Sequence, residues 1–416
     1  VTLEGALWSE DTQIMVECLQ ELGFMVDVRP DPNEFSNRTI TVYGKGGTVP
    51  PGGTEQQPME LFVGNAGTAA RFLAAFVCLG KGVYKLHGVP RMNERPKAAL
   101  FQALRELGYR VDSPTDKLPA IIHGSGPKSG AKCTVDIAES SQFASALLLC
   151  AKVGGWTVNV IGENAEESPY VAMTSKLIEA FPRHGGKFQI EPDASGGSYF
   201  LAAGAIIESP EFMEYSEQFG TEVKTKLRSR VSVAKWPHSG WQIDEKFQTY
   251  SIDGSQFLPD VSRTTDLGDS IMTAIVMAAL GKPLAFAIRF TDLGRLRLQE
   301  TERVVALRTE LTKCGAKVIE EGDTLTVYPS NMICGVKDSQ LHGAEIETYN
   351  DHRMAMCFAI LGLKVPGIKL KNPACVKKTF PNFFQKLAAT PPQGLGATIL
   401  DAKTGRPLTH DELFAD

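Results

Sequence analysis

The sequence predicts an α/β (α+β) chain built as two similar domains, and three observations carry that expectation. Short β-rich runs alternate with amphipathic helical segments along nearly the whole length. One unit recurs, a helical segment that ends at a glycine and is followed by an alternating apolar strand, in ECLQELGFMVDV, QALRELGYRVDS, IEAFPRHGGKFQI and RTELTKCGAKVIE. At 416 residues the chain also exceeds what one hydrophobic core covers. Such a unit is too small to bury its own apolar faces, so several must pack together, with helices inside or between sheets.

A Pro/Asp/Ser/Gly turn leads into an apolar helix over residues 190–206, with repeats on both sides of it. The chain is therefore divided at about residue 192 into halves 1–192 and 193–416, with a ligand-binding cleft expected between them. Residues 209–262 carry less pattern, and the Pro/Gly-containing tail after Ala389 is expected to be partly extended.

Composition excludes several classes. Hydrophobic residues at 43% and charged residues at 22% fit a globular chain, and a net charge of −5 argues against a nucleic-acid binder, so an anionic ligand requires a local cation cluster. The eight cysteines are scattered through apolar stretches with no CxxC pair, which predicts buried free thiols, no zinc site and a cytoplasmic setting. No run of about 18 apolar residues is present to span a membrane, and no signal-peptide layout opens the chain. The first residues read as the end of a strand, a turn and a helix, so sequence is expected to precede Val1.

Seven segments carry candidate chemistry. In LFVGNAGTAARFLAAF a strand enters Gly64-Asn65-Ala66-Gly67-Thr68 and then a small-residue helix bearing Arg71, which is either a tight turn or an anion cradle; without a following GKS or GKT it is no nucleotide loop. In GVPRMNERPKAAL, Arg91 and Arg95 flank a turn, as solvated side chains or as forks for carboxylate or phosphate. Ser140, Ser141 and Gln142 open an apolar helix, where serine caps the helix and can also meet a phosphate. Asp266 and Asp269 precede a wholly apolar helix, as N-caps or, more sharply, as a general base. Arg297, Glu300 and Arg303 lie three residues apart on an incipient helix, which predicts one shared face. Asn350, Asp351, His352 and Arg353 start another apolar helix, and Lys377 and Lys378 precede an aromatic-proline turn. Together the seven predict helix N-termini converging around anionic ligands.

In this order GNAGTAARFLAA, PRMNERP, SSQFASALL, DASGGSYFLAAGAI, ETERVVALRTELTKCGAKV, TYNDHRMAMCFAI and KKTFPNFFQKL resemble the 5-enolpyruvylshikimate-3-phosphate synthase family of enolpyruvyl transferases, from the first residues to about Leu387. The resemblance implies six βαβαββ units in two halves that close on ligand. It implies transfer of an enolpyruvyl group from phosphoenolpyruvate to shikimate 3-phosphate, with phosphate leaving and with no metal or organic cofactor. It implies Asp269 as base and Glu300 as acid; Asn65, Arg95, Gln142, Arg303, Arg353 and Lys378 as phosphoenolpyruvate ligands; and Ser140, Ser141, Gln142, Tyr170, Asp269 and Gln299 at shikimate 3-phosphate. A stand-alone chain and one part of a multifunctional shikimate-pathway polypeptide are both compatible with it. The related UDP-N-acetylglucosamine enolpyruvyl transferases carry a reactive-cysteine loop where this chain has PRMNERP.

The chain also departs from the family pattern. It begins after the family's Lys-bearing N-terminal segment; Gln299 stands at a family Lys position, Arg295 at an Asn, Glu167 at a phosphate-binding Ser, and Val171-Ala172 at an Ile-Asp pair. A carboxylate beside a phosphate repels it, and a lost cation weakens binding by about 2 to 5 kcal/mol. Another acceptor, or a binding or regulatory homologue with impaired turnover, is thus kept as an alternative.

Overall fold

At the glycine-punctuated segments the helix stops and the strand begins where the sequence pattern places them. Helix Glu10–Glu21 passes through Gly23 (φ +85°) into strand Met25–Pro30, Ala98–Glu106 through Gly108 (φ +88°) into Arg110–Asp112, and Arg303–Lys313 through Gly315 (φ +86°) into Lys317–Glu321. A side chain at that left-handed conformation costs about 1 to 2 kcal/mol, which glycine avoids. The fourth segment, Pro169–Ala180 to Lys187–Gln189, turns more slowly through Gly185 and Gly186. The computed structural model describes residues 1–162, 168–207, 231–252, 260–280, 287–330 and 341–416; Glu167 lies outside them.

Two compact units are present. The first comprises Val1–Glu191 with the short segments Leu298–Glu300 and Lys377–Pro381; the second comprises Pro192–Arg297, Thr301–Val376 and Asn382–Asp416. The first holds two four-stranded sheets. In one, Lys187–Gln189 runs parallel to Thr2–Leu7, which pairs antiparallel with Asn37–Tyr43, which pairs antiparallel with Met25–Pro30. In the other, Met59–Phe62, Lys81–His87, Ala120–Ser125 and Arg110–Asp112 follow the same sequence of one parallel and two antiparallel pairings. The second unit repeats that pattern with Asp260–Ser262, Ile288–Thr291, Thr324–Tyr328 and Lys317–Glu321. Each unit adds a two-stranded parallel pair, Lys132–Asp136 with Thr157–Ile161 and Glu345–Ile346 with Lys369–Leu370.

The apolar helices are interior, as their lack of a polar face dictates. In Gly67–Phe76 seven of ten residues are buried, and in Ile271–Ala279 eight of nine. The first packs on helix Gln142–Gly154, the second on helices Ala194–Ile207 and His352–Gly362. The alanines and glycines of these helices admit close approach, and that brings their N-terminal polar residues together. Seven of the cysteines, all except Cys334, are described, and these are free and buried. No described helix is long and apolar enough to cross a membrane. The tail after Ala389 has little regular structure: short turns at 391–393 and 402–404, one bridge, Leu400 to Pro407, and a short 3-10 helix, Asp411–Leu413.

Candidate active site

In the first unit the turn after strand Met59–Phe62 brings two guanidinium groups to one point of the backbone. A Cβ added at Gly67 would lie 2.7 Å from Arg71 Nη1 and 3.1 and 3.2 Å from Arg95 Nη1 and Nη2. Gly67 is therefore the residue that lets both arginines reach the start of helix Gly67–Phe76. Arg71 is 2% exposed and Arg95 7%. Arg71 Nη1 donates to the Gly67 carbonyl at 3.0 Å, and its guanidinium lies 5.6 Å from the centroid of the Phe143 ring. The Nε atoms of both arginines and Nη1 of Arg95 are buried without a hydrogen bond, and so is Asn65 Oδ1. Unmade buried N–H bonds carry a desolvation penalty that an anion would remove.

Lys97 lies fully buried beside them, its Nζ 3.5 Å from the Arg95 carbonyl and 3.6 Å from Met92 Sδ. Burial first, then the Arg71 and Arg95 charges, pull this amine down to about 6. Burial and the Arg95 charge likewise pull Arg71 down to about 9, which leaves it cationic at neutral pH.

Two chain segments distant in sequence complete this cluster. Glu300, 9% exposed, lies 3.3 Å from Lys378 Nζ and 3.8 Å from Arg95 Nη1. Lys378 also pairs with Asp11 Oδ2 at 2.7 Å. Burial raises the Asp11 carboxyl above its ordinary value, although Lys378 works in the opposite direction. Gln142 Nε2 donates to Thr68 Oγ1 at 3.1 Å, so the start of helix Gln142–Gly154 meets the start of Gly67–Phe76. Ser140 Oγ accepts from the Gln142 amide at 3.3 Å, whereas Ser141, the N-cap residue, makes no side-chain cap bond. Tyr170 lies in the first turn of helix Pro169–Ala180, which is tied to the serine-led helix by the Ser145 and Thr174 hydroxyls, 2.7 Å apart. Asn65, Arg95, Gln142, Glu300 and Lys378 are thus gathered in one unit.

The second unit gathers Asp269, Arg303 and Arg353. Asp269 Oδ1 accepts from Arg263 Nη2 at 2.7 Å, and its Oδ2 lies 3.3 Å from Arg353 Nη2. Burial opposes ionisation of Asp269, but Arg353, Arg263 and Arg303 outweigh it and hold the carboxyl well below the usual carboxylate range. Arg353 Nη1 donates to Ser195 Oγ at 2.5 Å and to Tyr199 Oη at 3.3 Å. Arg303 makes a fully buried fork to Asp351, Nε to Oδ2 at 2.7 Å and Nη2 to Oδ1 at 3.1 Å. Asp351 also caps helix His352–Gly362 by accepting from the Arg353 amide at 2.9 Å. Asp244 accepts from the Ser270 amide at 2.8 Å, and burial followed by the Asp269 charge pushes its carboxyl up to about 6.

One expectation from spacing and two of the plainer alternatives are corrected. Arg297, Glu300 and Arg303 share no helical face: a 3-10 helix, Gly294–Leu298, ends before Gln299, and the α-helix starts only at Arg303. Arg297 turns to Glu302, Glu320 and Asp323, Glu300 to the first unit's cations, and Arg303 to Asp351. Neither Asp266 nor Asp269 is the N-cap of helix Ile271–Ala279; that place is held by Ser270, and Asp266 instead accepts from the Ser262 amide. Arg91 is not merely solvated, since it bonds the Gln299 and Glu300 carbonyls.

Sequence reasoning missed Asp11, Lys97, Arg263, Ser195 and Tyr199. Lys97 lay inside GVPRMNERPKAAL, where only the arginines were singled out, and Ser195 and Tyr199 lay in the DASGGSYF helix start; Asp11 and Arg263 lay in no such segment. Among the described residues no group of three or more His, Cys, Asp or Glu side chains is arranged to hold a metal ion.

The family model of EPSP synthase (3-phosphoshikimate 1-carboxyvinyltransferase) matches residues 1–184 and 182–387. The 3-phosphoshikimate 1-carboxyvinyltransferase of Trichormus variabilis is 33% identical over 415 residues, which cover 92% of this chain and 89% of that one. The protein of the same name from Rhizobium etli is 33% identical over 407 residues, 93% of this chain and 87% of that one. The fold is similar to that of EPSP synthase from Acinetobacter baumannii, with a TM-score of 0.57 at 18% identity over 93% of this chain and 89% of the other. The enolpyruvyl transferase NikO from Streptomyces tendae aligns with a TM-score of 0.51 at 12% identity over 91% and 86%. With matches that run through both compact units, the chain belongs to the EPSP synthase family.

Proposed function

We propose that the chain transfers the enolpyruvyl group of phosphoenolpyruvate to the hydroxyl of shikimate 3-phosphate and releases phosphate, in the pathway to the aromatic amino acids, with its two units as the two lobes of the βαβαββ-repeat fold. The observation that carries this reading is the pair of buried arginines at Gly67, whose unmade N–H bonds sit beside a cation-paired glutamate. That is the equipment a phosphorylated enol needs: fixed donors for its phosphate and an acid for its methylene carbon. The name shared by the 33%-identical relatives supports this acceptor.

In this reading the acceptor hydroxyl gives its proton to Asp269 while its oxygen bonds to the central enol carbon. Glu300 protonates the methylene carbon at the same time. A methyl proton then returns to the Glu300 carboxylate as the carbon–oxygen bond to phosphate breaks and the double bond re-forms, and the proton held by Asp269 leaves with the phosphate, so atoms and charge balance without a metal or organic cofactor. Arg95, Lys378, Asn65 and Gln142 meet the phosphate, and Arg303 and Arg353 the carboxylate. Ser140, Ser141, Tyr170 and Gln299 attend shikimate 3-phosphate. Arg353 must exchange Asp269 for the substrate carboxylate, and the loss of one guanidinium makes Asp269 more basic at the moment of attack.

A second reading, a homologue that binds phosphoenolpyruvate without turnover, is favoured by one observation: both oxygens of Asp269 are covered by arginines. Phosphate release from the two substrates separates the readings. Turnover by the unmodified chain that falls at least about 100-fold in Glu300→Gln and in Asp269→Asn is expected. Calorimetric binding of phosphoenolpyruvate with no phosphate release, in the unmodified chain and in Gln299→Lys alike, would establish the second reading instead.

A further inference from the structure

Arg91 is used by none of the steps above, yet its geometry is specific. It sits on the short helix Pro90–Glu94, its side chain 40% exposed. Nη2 donates to the Gln299 carbonyl at 3.0 Å and Nε to the Glu300 carbonyl at 3.2 Å, while Nη1 is braced by Glu94 Oε2 at 3.2 Å. Two successive carbonyl oxygens more than 200 positions away in sequence are thus held by one planar fork. Residues 299–302 lie after the 3-10 helix Gly294–Leu298 and before the α-helix Arg303–Lys313, so no helical hydrogen-bond ladder fixes their backbone. The carboxylate that this backbone delivers, Glu300, is aimed at Lys378 and Arg95.

We propose that Arg91 is a positioning residue that clamps the Gln299–Glu300 backbone and thereby sets the reach of the Glu300 carboxyl in the first unit. The proposal rests on the reading of Glu300 as the acid. A proton donor displaced by about 1 Å from its working position loses about 100-fold in rate, so a small backbone shift here is amplified in turnover. Only arginine supplies two in-plane donors at this separation; lysine, a single flexible point charge, holds one carbonyl at a time.

The test compares Arg91→Gln, Arg91→Lys, Glu300→Gln and the double variant Arg91→Gln/Glu300→Gln. Amide hydrogen exchange over residues 298–302 reads the clamp directly, and phosphate release with calorimetric binding of phosphoenolpyruvate reads its consequence. In Arg91→Gln the exchange is expected to quicken about tenfold in that segment alone, with thermal stability retained because the side chain is part-exposed. Its kcat is expected to fall roughly 10- to 100-fold at unchanged phosphoenolpyruvate affinity. Arg91→Lys should recover part of both effects. On the Glu300→Gln background the same substitution should cost nothing further.

Exchange that does not change overturns the proposal. So does an equal loss of kcat on both backgrounds, which would make Arg91 a structural residue unrelated to Glu300. If the unmodified chain releases no phosphate while exchange responds as described, the functional reading falls and the clamp stands.

Discussion

The two arginine clusters differ in how their charge is met. In the second unit Arg303 is forked onto Asp351 and Arg353 and Arg263 share Asp269, so each cation has a carboxylate within 3.3 Å. In the first unit Arg71 and Arg95 are drawn to the same glycine, the carboxylate at Arg95 is 3.8 Å away, and Lys97 is buried behind them. The same residue type thus does two jobs. Where arginine is paired it holds the fold, and removing a partner strands a buried charge; where it is left short of partners it stores a demand for an anion.

Stability separates the two most sharply. Asp351→Ala removes the partner of Arg303 and the cap of helix His352–Gly362 together, and it is expected to cost about 3 to 5 kcal/mol. Arg95→Met, which breaks no short ion pair, is expected to stay within about 1 kcal/mol of the unmodified chain. Urea denaturation of both variants checks this; equal losses would break the distinction between a paired and an unpaired cluster.

Lys97 sharpens the same comparison through pH. Its folded value near 6 lies below its ordinary 10.5, so between those limits the unfolded chain binds the extra proton. Stability therefore rises with pH across that window: the penalty of burying this amine is complete below about pH 6 and is gone above about 10.5. Lys97→Met should stabilise the chain by on the order of 2 kcal/mol at pH 7, with the gain shrinking toward zero near pH 10. A gain of constant size from pH 6 to pH 10 would show that the amine is charged in the folded protein.

The sequence made the scaffold legible because its signals are local. Gly23, Gly108 and Gly315 each mark a helix end by a backbone conformation that other residues resist, and the apolar helix 271–279 has nowhere to lie except inside. The candidate site was legible only in part, because pairing is not local. GNAGTAAR announced Arg71 as a helix-borne cation, but nothing in it says that Arg71 and Arg95 meet at Gly67. The three-residue spacing of Arg297, Glu300 and Arg303 pointed to one helical face, and it failed because the α-helix starts only at Arg303, six residues after Arg297. Asp11 and Arg263 carry no motif at all; each became visible only through the charge it faces, Lys378 and Asp269.

Gly67 offers the finest discrimination. A methyl group there would meet Arg71 Nη1 at 2.7 Å, so the guanidinium must swing aside, and the donors that converge on the helix start move apart. Because the displaced atoms are the ends of side chains rather than backbone, the fold should tolerate Gly67→Ala with little change in melting temperature. Affinity for phosphoenolpyruvate should fall about five- to tenfold, close to 1 kcal/mol, as one aligned donor is lost. Gly44→Ala is the matched control, since a Cβ there meets nothing within 4 Å. If both alanine variants bind phosphoenolpyruvate equally by calorimetry, the unmade bonds of Arg71 and Arg95 are not what the anion satisfies, and the first unit's cluster loses its claim to be ready for ligand.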